Sequence, residues 1–353
     1  MKNRIFISGI SSIAAQTEAS VFNEAPNVYS DPIFEIVPFN HKEYIPTKSL
    51  RRLSRALKMS ISGAIMALKD AEVTCPDAII TGTGQGCKQD TERFLESVIK
   101  QKELLLSPTA FIHSTHNTIG GQIALHLNSK AYNVTYSQNS VSLEWALLDA
   151  MMIFDEGKNS KNVLVGGVDE ISETITGFME FDHQLKKERI SNLELFKSDS
   201  RGTITSEGAH FFNLTSENKS SLVELLDISI IATLEVENIT NTVEEFLGKN
   251  RIASADIDLV ILGKNGDVNF DHFYEALTTG ILKKTQQLAY KHLVGEYNTV
   301  SGYALWLGCK IIELQTIPEI LKVNSVTAGK IKYVLLYNQY QGEDHSLILI
   351  RKR

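Results

Sequence analysis

The order of apolar and polar positions along the chain predicts strands alternating with helices. Short β-branched runs that end at glycine or at a polar turn predict buried strands, whereas apolar residues at spacings of three and four predict helices. Strand-like runs lie at residues 4–10, 77–84, 162–168, 224–235, 256–263, 331–337 and 346–350. Helical patterns lie at residues 47–68, 90–106, 141–154, 238–248 and 297–314. This alternation predicts an α/β fold with largely buried strands.

The two halves of the chain show a weak internal repeat. In each half a helical pattern that begins near a polar turn precedes a strand, at residues 141–168 and again at residues 299–337. Such a repeat favours a duplicated architecture. We therefore predict two halves, comprising residues 1–217 and residues 218–353.

Length, charge and hydropathy exclude several classes of protein. The 353 residues can bury a large core, and a net charge of -7 argues against a nucleic-acid surface, which is normally basic. No apolar run reaches the roughly 18 residues that a membrane helix needs. The first apolar stretch is short and is broken by Ser and Gly, which favours a strand over a signal peptide. We expect a cytoplasmic protein with no nucleic-acid or membrane partner.

Cysteines and glycines give no sign of a cofactor. Cys75, Cys87 and Cys309 are far apart and odd in number, so they form neither a metal-binding spacing nor a disulfide framework. The glycine-containing segment at residues 82–86 lacks the Lys and Ser/Thr of a phosphate-binding loop. We expect no cofactor and no metal, and small apolar roles for the cysteines.

Seven segments, in their order along the chain, carry a resemblance to a known family. They are RIFISGI, LRRLSRALKMSISGAIMALKDAEV, PTAFIHSTHNTIGGQIALHL, NVLVGGVDE, SDSRGTITSEGAHFF, KHLVGEYNTVSGYALW and NQYQGEDHSLIL. Taken together they resemble the β-ketoacyl synthases of fatty-acid and polyketide assembly. The resemblance implies a thiolase-like fold, in which two pseudo-repeated halves form α-β-α-β-α layers.

The family's catalytic residues are replaced in this chain. The resemblance implies a Cys nucleophile, which carries the acyl chain as a thioester, and two His residues that stabilise developing charge. The Cys position falls on Ser140, and the second His position falls on Glu296. The first His position falls on Lys264 or Asn265, because the register is ambiguous by one residue. A serine hydroxyl needs an adjacent general base before it can attack.

The resemblance also implies which residues line the pocket and which lie at an interface. Lys291 matches the family's lysine, Tyr340 corresponds most nearly to a closing-loop Phe, and Gln341 replaces a glycine of that loop. We expect these three at the pocket or its gate. The candidate interface residues are His113, His116, Asn117, Val134 and Tyr136.

The leading hypothesis is a noncatalytic subunit. Chain-length-factor proteins resemble ketosynthases, lack their catalytic residues and form heterodimers with an active ketosynthase. We expect such a partner here, and an acyl carrier protein as a further one. FIHSTHNTIGGQIAL and GEYNTVSGYALW look like the branch associated with bacterial aryl-polyene and flexirubin-type polyketide systems.

The main alternative is an acyltransferase or thioesterase-like enzyme with a rebuilt site. Ser140 would supply the hydroxyl, His113 or His116 the imidazole base, and Glu144 or Glu296 the orienting carboxylate. A further alternative is an intact ketosynthase that uses a cysteine elsewhere in the chain as its nucleophile. The candidates are Cys87 and Cys309.

Overall fold

The computed structural model describes residues 3–104, 106–157, 160–217 and 223–353. The strands are β1 (Ile5–Ile13), β2 (Ala78–Gly82), β3 (Tyr132–Tyr136), β4 (Asn162–Asp169), β5 (Gly208–Thr215), β6 (Val223–Thr233), β7 (Leu259–Leu262), β8 (Gln286–Ala289), β9 (Tyr333–Tyr340) and β10 (Glu343–Lys352).

The α-helices are α1 (Glu18–Phe22), α2 (Thr47–Leu50), α3 (Arg55–Asp70), α4 (Lys88–Lys100), α5 (Pro108–His113), α6 (Thr118–Leu127), α7 (Ser142–Asp155), α8 (Glu173–Phe181), α9 (Ile239–Lys249), α10 (Asp271–Thr278), α11 (Lys291–Val294) and α12 (Ser301–Leu314). Over the described ranges, none of them combines the length and apolarity required to cross a membrane.

The sheet shows the internal repeat directly. Its strand order is β3-β2-β4-β5-β1-β6-β10-β9-β7-β8, with an antiparallel β1–β6 pair at the centre. Outward from that pair, each side has two antiparallel pairings followed by two parallel ones. The two pseudo-repeated halves are thus confirmed. The predicted boundary between residues 217 and 218 adjoins residues 218–222, which lie outside the described residues, so its position stays a prediction.

Three groups of buried apolar side chains pack between the layers of the fold. The central group joins α7 and α12, which both contact strands of the two halves. A second group packs α3 and α6 against the first half, and a third packs α9 and α10 against the second. Burial of these apolar surfaces is the main force that holds the layers together. The order of layers is α-β-α-β-α, as the resemblance implied.

The long helix predicted from residue 47 is divided in two. Helix α2 ends at Leu50, and α3 begins only at Arg55, after a cap at Ser54 whose hydroxyl accepts a hydrogen bond from the backbone N–H of Leu57. Serine competes for backbone hydrogen bonds and therefore favours a helix start over a helix interior. The apolar spacing predicted helix correctly but did not show this interruption.

Gly166 and Gly167 lie inside β4. A Cβ built on Gly166 would lie 2.1 Å from the Phe211 ring, and one on Gly167 would lie 2.8 Å from Thr299. These glycines therefore allow close approach of neighbouring side chains. Strand β4 ends at Asp169, so Asp169 and Glu170 lie at the end of the sheet that holds the candidate site.

Candidate functional site

Ser140 lies between a strand and a helix, in one turn of 3-10 helix that joins β3 to α7. The turn is sharp because Asn139 has a left-handed φ of 46°. Ser140 is buried, and its hydroxyl donates a hydrogen bond to Asp344 Oδ2 at 3.1 Å. Asp344 also has a left-handed backbone, with φ 49°, beside the β9–β10 hairpin turn.

The imidazole proposed as a base for Ser140 is not in place. His113 is buried at the end of α5, with its Nδ1 3.6 Å from Asp90 Oδ2. His116 is exposed in the loop that follows. In the described part of the chain, neither histidine forms a hydrogen bond with Ser140. The arrangement therefore lacks the hydroxyl–imidazole pair that serine nucleophiles use.

Lys291, Glu296 and Asn265 form a buried hydrogen-bonded network. The Lys291 ammonium donates to both carboxylate oxygens of Glu296, at 2.8 and 2.7 Å. Asn265 Nδ2 donates to Glu296 Oε2 at 3.0 Å. Lys264 instead pairs with Asp271 at 3.2 Å. The structure thus brings Asn265, and not Lys264, into hydrogen-bond contact with Glu296.

Burial and the neighbouring carboxylate have opposite effects on the pKa of Lys291. Desolvation lowers the pKa of Lys291, and the neighbouring Glu296 carboxylate opposes that shift. Both side chains are almost fully shielded from solvent. A Glu296 carboxylate that accepts these bonds cannot donate a hydrogen bond to an oxyanion, which is the role a ketosynthase His would have there.

Glu144, the other proposed orienting carboxylate, lies in the first turn of α7. It is fully buried and accepts a hydrogen bond from Ser346 Oγ at 2.9 Å. Burial raises the pKa of Glu144 to about 7. It forms no hydrogen bond with Ser140 or with either proposed histidine in the described ranges. Sequence spacing alone did not reveal this separation.

A cavity of about 370 Å³ lies beside the network, and Glu296 and Tyr340 are in its lining. The Tyr340 hydroxyl donates a hydrogen bond to Gln184 Oε1 at 3.2 Å, and burial raises the pKa of Tyr340. Gln341 lies next to Tyr340 in the β9–β10 turn, exposed and with φ 53°. Ser140 is not in the lining. Glu296 and Tyr340 therefore line the cavity, whereas Ser140 belongs to a separate buried contact with Asp344.

The predicted interface strand β3 is an edge strand of the sheet. Val134 and Tyr136 are half-buried, and the Tyr136 ring stacks on Trp145 at 6.5 Å. His116 and Asn117 are exposed near the start of α6, whereas His113 is buried. Exposed apolar side chains on β3, α6 and α7 form what we call the edge patch, which comprises Leu125, Tyr132, Trp145 and Met152.

The two buried cysteines are poor nucleophiles. Burial raises the pKa of the Cys87 thiol to about 12 and also raises that of Cys309, which lies inside α12. A reactive cysteine needs the opposite shift, because the thiolate is the attacking species. Among the described residues, no group of three or more His, Cys, Asp or Glu side chains could hold a metal ion.

Comparisons with known proteins agree with this architecture. Residues 34–202 match the family described as "Beta-ketoacyl synthase, N-terminal domain". Two solved structures are similar over 100% of both chains with a TM-score of 0.82: the ishigamide ketosynthase/chain length factor at 15% identity, and a β-ketoacyl synthase from Burkholderia phymatum STM815 at 14%. No curated protein gives a match.

A third similar solved structure is a complex of two proteins. It is a ketosynthase (ApeO) in complex with its chain length factor (ApeC) from Xenorhabdus doucetiae. The similarity covers 99% of this chain and 98% of that one, with 14% identity and a TM-score of 0.78. Together these likenesses show that the chain has the thiolase-like α/β fold of ketosynthase structures.

Proposed function

We propose that the chain is a noncatalytic, ketosynthase-like subunit of the chain-length-factor type. One observation carries the proposal: Lys291, Glu296 and Asn265 form a closed network at the positions that the resemblance assigns to catalytic helpers. At the nucleophile position, Ser140 donates its hydrogen bond to a carboxylate. Neither arrangement supports thioester formation or carbanion stabilisation.

The partner would bind along the open edge of the sheet. Tyr136 faces β2, since its carbonyl accepts a hydrogen bond from the Thr83 N–H. Because alternate residues of a strand point their backbone groups to opposite sides, the backbone groups of Asn133 and Thr135 face the open edge. The edge patch adds exposed apolar area beside these groups, which is typical of protein interfaces.

We infer an active ketosynthase as that partner, in polyene, polyketide or fatty-acid-type chain elongation. The ishigamide and ApeO–ApeC structures, whose names pair a ketosynthase with a chain length factor, support the inference. The aryl-polyene or flexirubin-type branch is the finer proposal, and residues 111–125 and 295–306 support it. An acyl carrier protein would deliver the growing chain to the pair.

Co-expression with an active ketosynthase from the same genome tests the proposed partnership. We expect the two proteins to purify together, and Leu125→Arg or Met152→Arg to reduce recovery of the complex by about tenfold or more. Both side chains are more than half exposed in the free chain, so folding should tolerate the change. In the complex, an unpaired charge would be buried.

Val323→Arg is the matched control for these variants. Val323 is also exposed and apolar, but it lies next to β8, at the opposite edge of the sheet. This variant should leave the complex intact. Two stable homodimers that purify separately, with a ketosynthase that makes full-length product alone, would contradict the proposed function.

The alternative enzyme predicts a different result at Ser140. Incubation of the purified chain with an acyl-carrier-protein thioester is expected to leave the mass of the chain unchanged, because the hydroxyl has no imidazole base. Intact-protein mass spectrometry of the native chain and of Ser140→Ala provides the measurement. An acyl adduct that disappears in Ser140→Ala would establish the acyltransferase or thioesterase-like function instead.

A further inference from the structure

The cavity beside Glu296 has an acidic lining. Four carboxylates are part of it, and no Lys, Arg or His side chain lines it in the described part of the chain. Glu296 is neutralised by Lys291, which lies behind it. The other three carboxylates belong to Asp169, Glu170 and Asp182. The charge of the cavity lining therefore depends on these three groups.

Neutral donors satisfy these three carboxylates. Asp169 accepts hydrogen bonds from the Thr299 hydroxyl and backbone N–H, both at 2.8 Å, and from groups of residues 83–85. Glu170 accepts from backbone N–H groups at the starts of α3 and α4, and Asp182 accepts from the Gln184 side chain. No ion pair joins any of the three to a cation within the described ranges. Burial raises the pKa of Asp169 and raises that of Glu170 to about 7, so a bound cation would favour the ionised forms of both carboxyl groups.

Ser206 provides independent evidence of a ligand. It is 2% exposed and belongs to the lining, yet its hydroxyl has no hydrogen-bond partner within the described part of the chain. A buried hydroxyl left unpaired costs stability. A polar group of a bound molecule would satisfy it.

Apolar side chains of α8 form another part of the cavity lining. Ile175, Phe178, Met179 and Phe181 line it, and the two Phe rings are 64% and 86% exposed. Phenyl rings bind apolar chains and attract cations at their faces. A volume of about 370 Å³ is within the range of small-molecule sites.

We propose that this cavity binds an apolar molecule that carries a protonated amine. The ammonium group faces Asp169 and Glu170 and donates a hydrogen bond to the Ser206 hydroxyl. The apolar part lies against α8. Anionic ligands of the same size are disfavoured by the uncompensated carboxylates. The proposal rests on the cavity alone and does not require the chain to be a noncatalytic subunit.

Calorimetric titration of the full chain, in whichever assembly it purifies, tests this site. The probes are n-octylamine and octanoate, which have the same chain length and opposite charge, near neutral pH and at about 0.15 M salt. We expect octylamine to bind at one site per chain, with a Kd at least about tenfold lower than that of octanoate. Phe178→Arg introduces a cation into the lining and should weaken octylamine binding by about tenfold or more.

Ser206→Ala and Glu245→Gln complete the design. Ser206→Ala removes the unpaired hydroxyl and should weaken octylamine binding severalfold without loss of folding. Glu245→Gln removes an exposed charge on α9, outside the cavity, and should leave the Kd unchanged. Equal affinity for the two probes, or octylamine binding that Phe178→Arg does not weaken, would overturn the proposal. Either result would leave the partnership test unaffected.

Discussion

Lys291→Met is expected to destabilise the protein by about 3–5 kcal/mol, because it leaves the Glu296 carboxylate buried without its cation. The pair is bidentate and almost fully shielded from solvent. Within the described residues, Asn265 is then the one remaining side-chain donor to the Glu296 carboxylate. Urea unfolding, monitored by circular dichroism, measures the change in free energy.

A double variant separates the ion pair from simple loss of packing. Lys291→Met combined with Glu296→Met removes both charges and should recover most of the lost stability, since apolar replacements of buried pairs are often neutral or stabilising. Lys100→Met is the control, because its pair with Glu96 is exposed to solvent and should contribute little to stability. A double variant as unstable as Lys291→Met would show that the pair is not the cause.

Much of the fold could be predicted from the sequence because it depends on local periodicity. Apolar runs and helical spacings place seven of the ten strands and the five longest helices of the described residues, and the weak repeat at residues 141–168 and 299–337 corresponds to the duplicated strand order. The break before Arg55 was missed because it depends on a single capping hydrogen bond, at Ser54. Local capping competes with periodicity over only a few residues.

The candidate site was less predictable because its contacts join distant parts of the chain. The resemblance pointed to Ser140 and Glu296 but did not distinguish Lys264 from Asn265. The hydrogen bond to Glu296 identifies Asn265 as the member of the network. Asp344, the partner of Ser140, lies 204 residues away, and its left-handed backbone leaves no clear pattern in the sequence. Such contacts follow from tertiary packing.

The network and the cavity share one residue, Glu296. Its carboxylate binds Lys291 on one side and lines the acidic cavity on the other. In a ketosynthase, the corresponding position would supply a donor to a thioester oxyanion. Here the same position supplies a carboxylate that accepts hydrogen bonds, and the carboxyl groups of Asp169 and Glu170 line the same cavity. In our two proposals, the carboxylate at residue 296 does not act as an oxyanion donor, and the acidic lining around it favours a cationic ligand.

Glu144→Gln is expected to change how stability depends on pH. Burial raises the pKa of Glu144 from its ordinary value of 4.5 to about 7. Between these values the folded protein binds more protons than the unfolded chain, so this group makes stability fall as pH rises from 4.5 to about 7. At about 1.4 kcal/mol per pKa unit, the loss is on the order of 3 kcal/mol. Glutamine is neutral throughout this pH range, so the Glu144→Gln protein does not lose this stability.

Urea unfolding of both proteins across this pH range measures the effect. The stability of Glu144→Gln relative to the native chain should rise by on the order of 3 kcal/mol between about pH 4.5 and pH 7.5. The comparison cancels the contribution of Glu170, whose pKa burial also raises to about 7 and which both proteins retain. Glu245→Gln, an exposed change, should show a relative stability that is constant within about 0.5 kcal/mol. A constant difference for Glu144→Gln would mean that its carboxyl group does not titrate in this range.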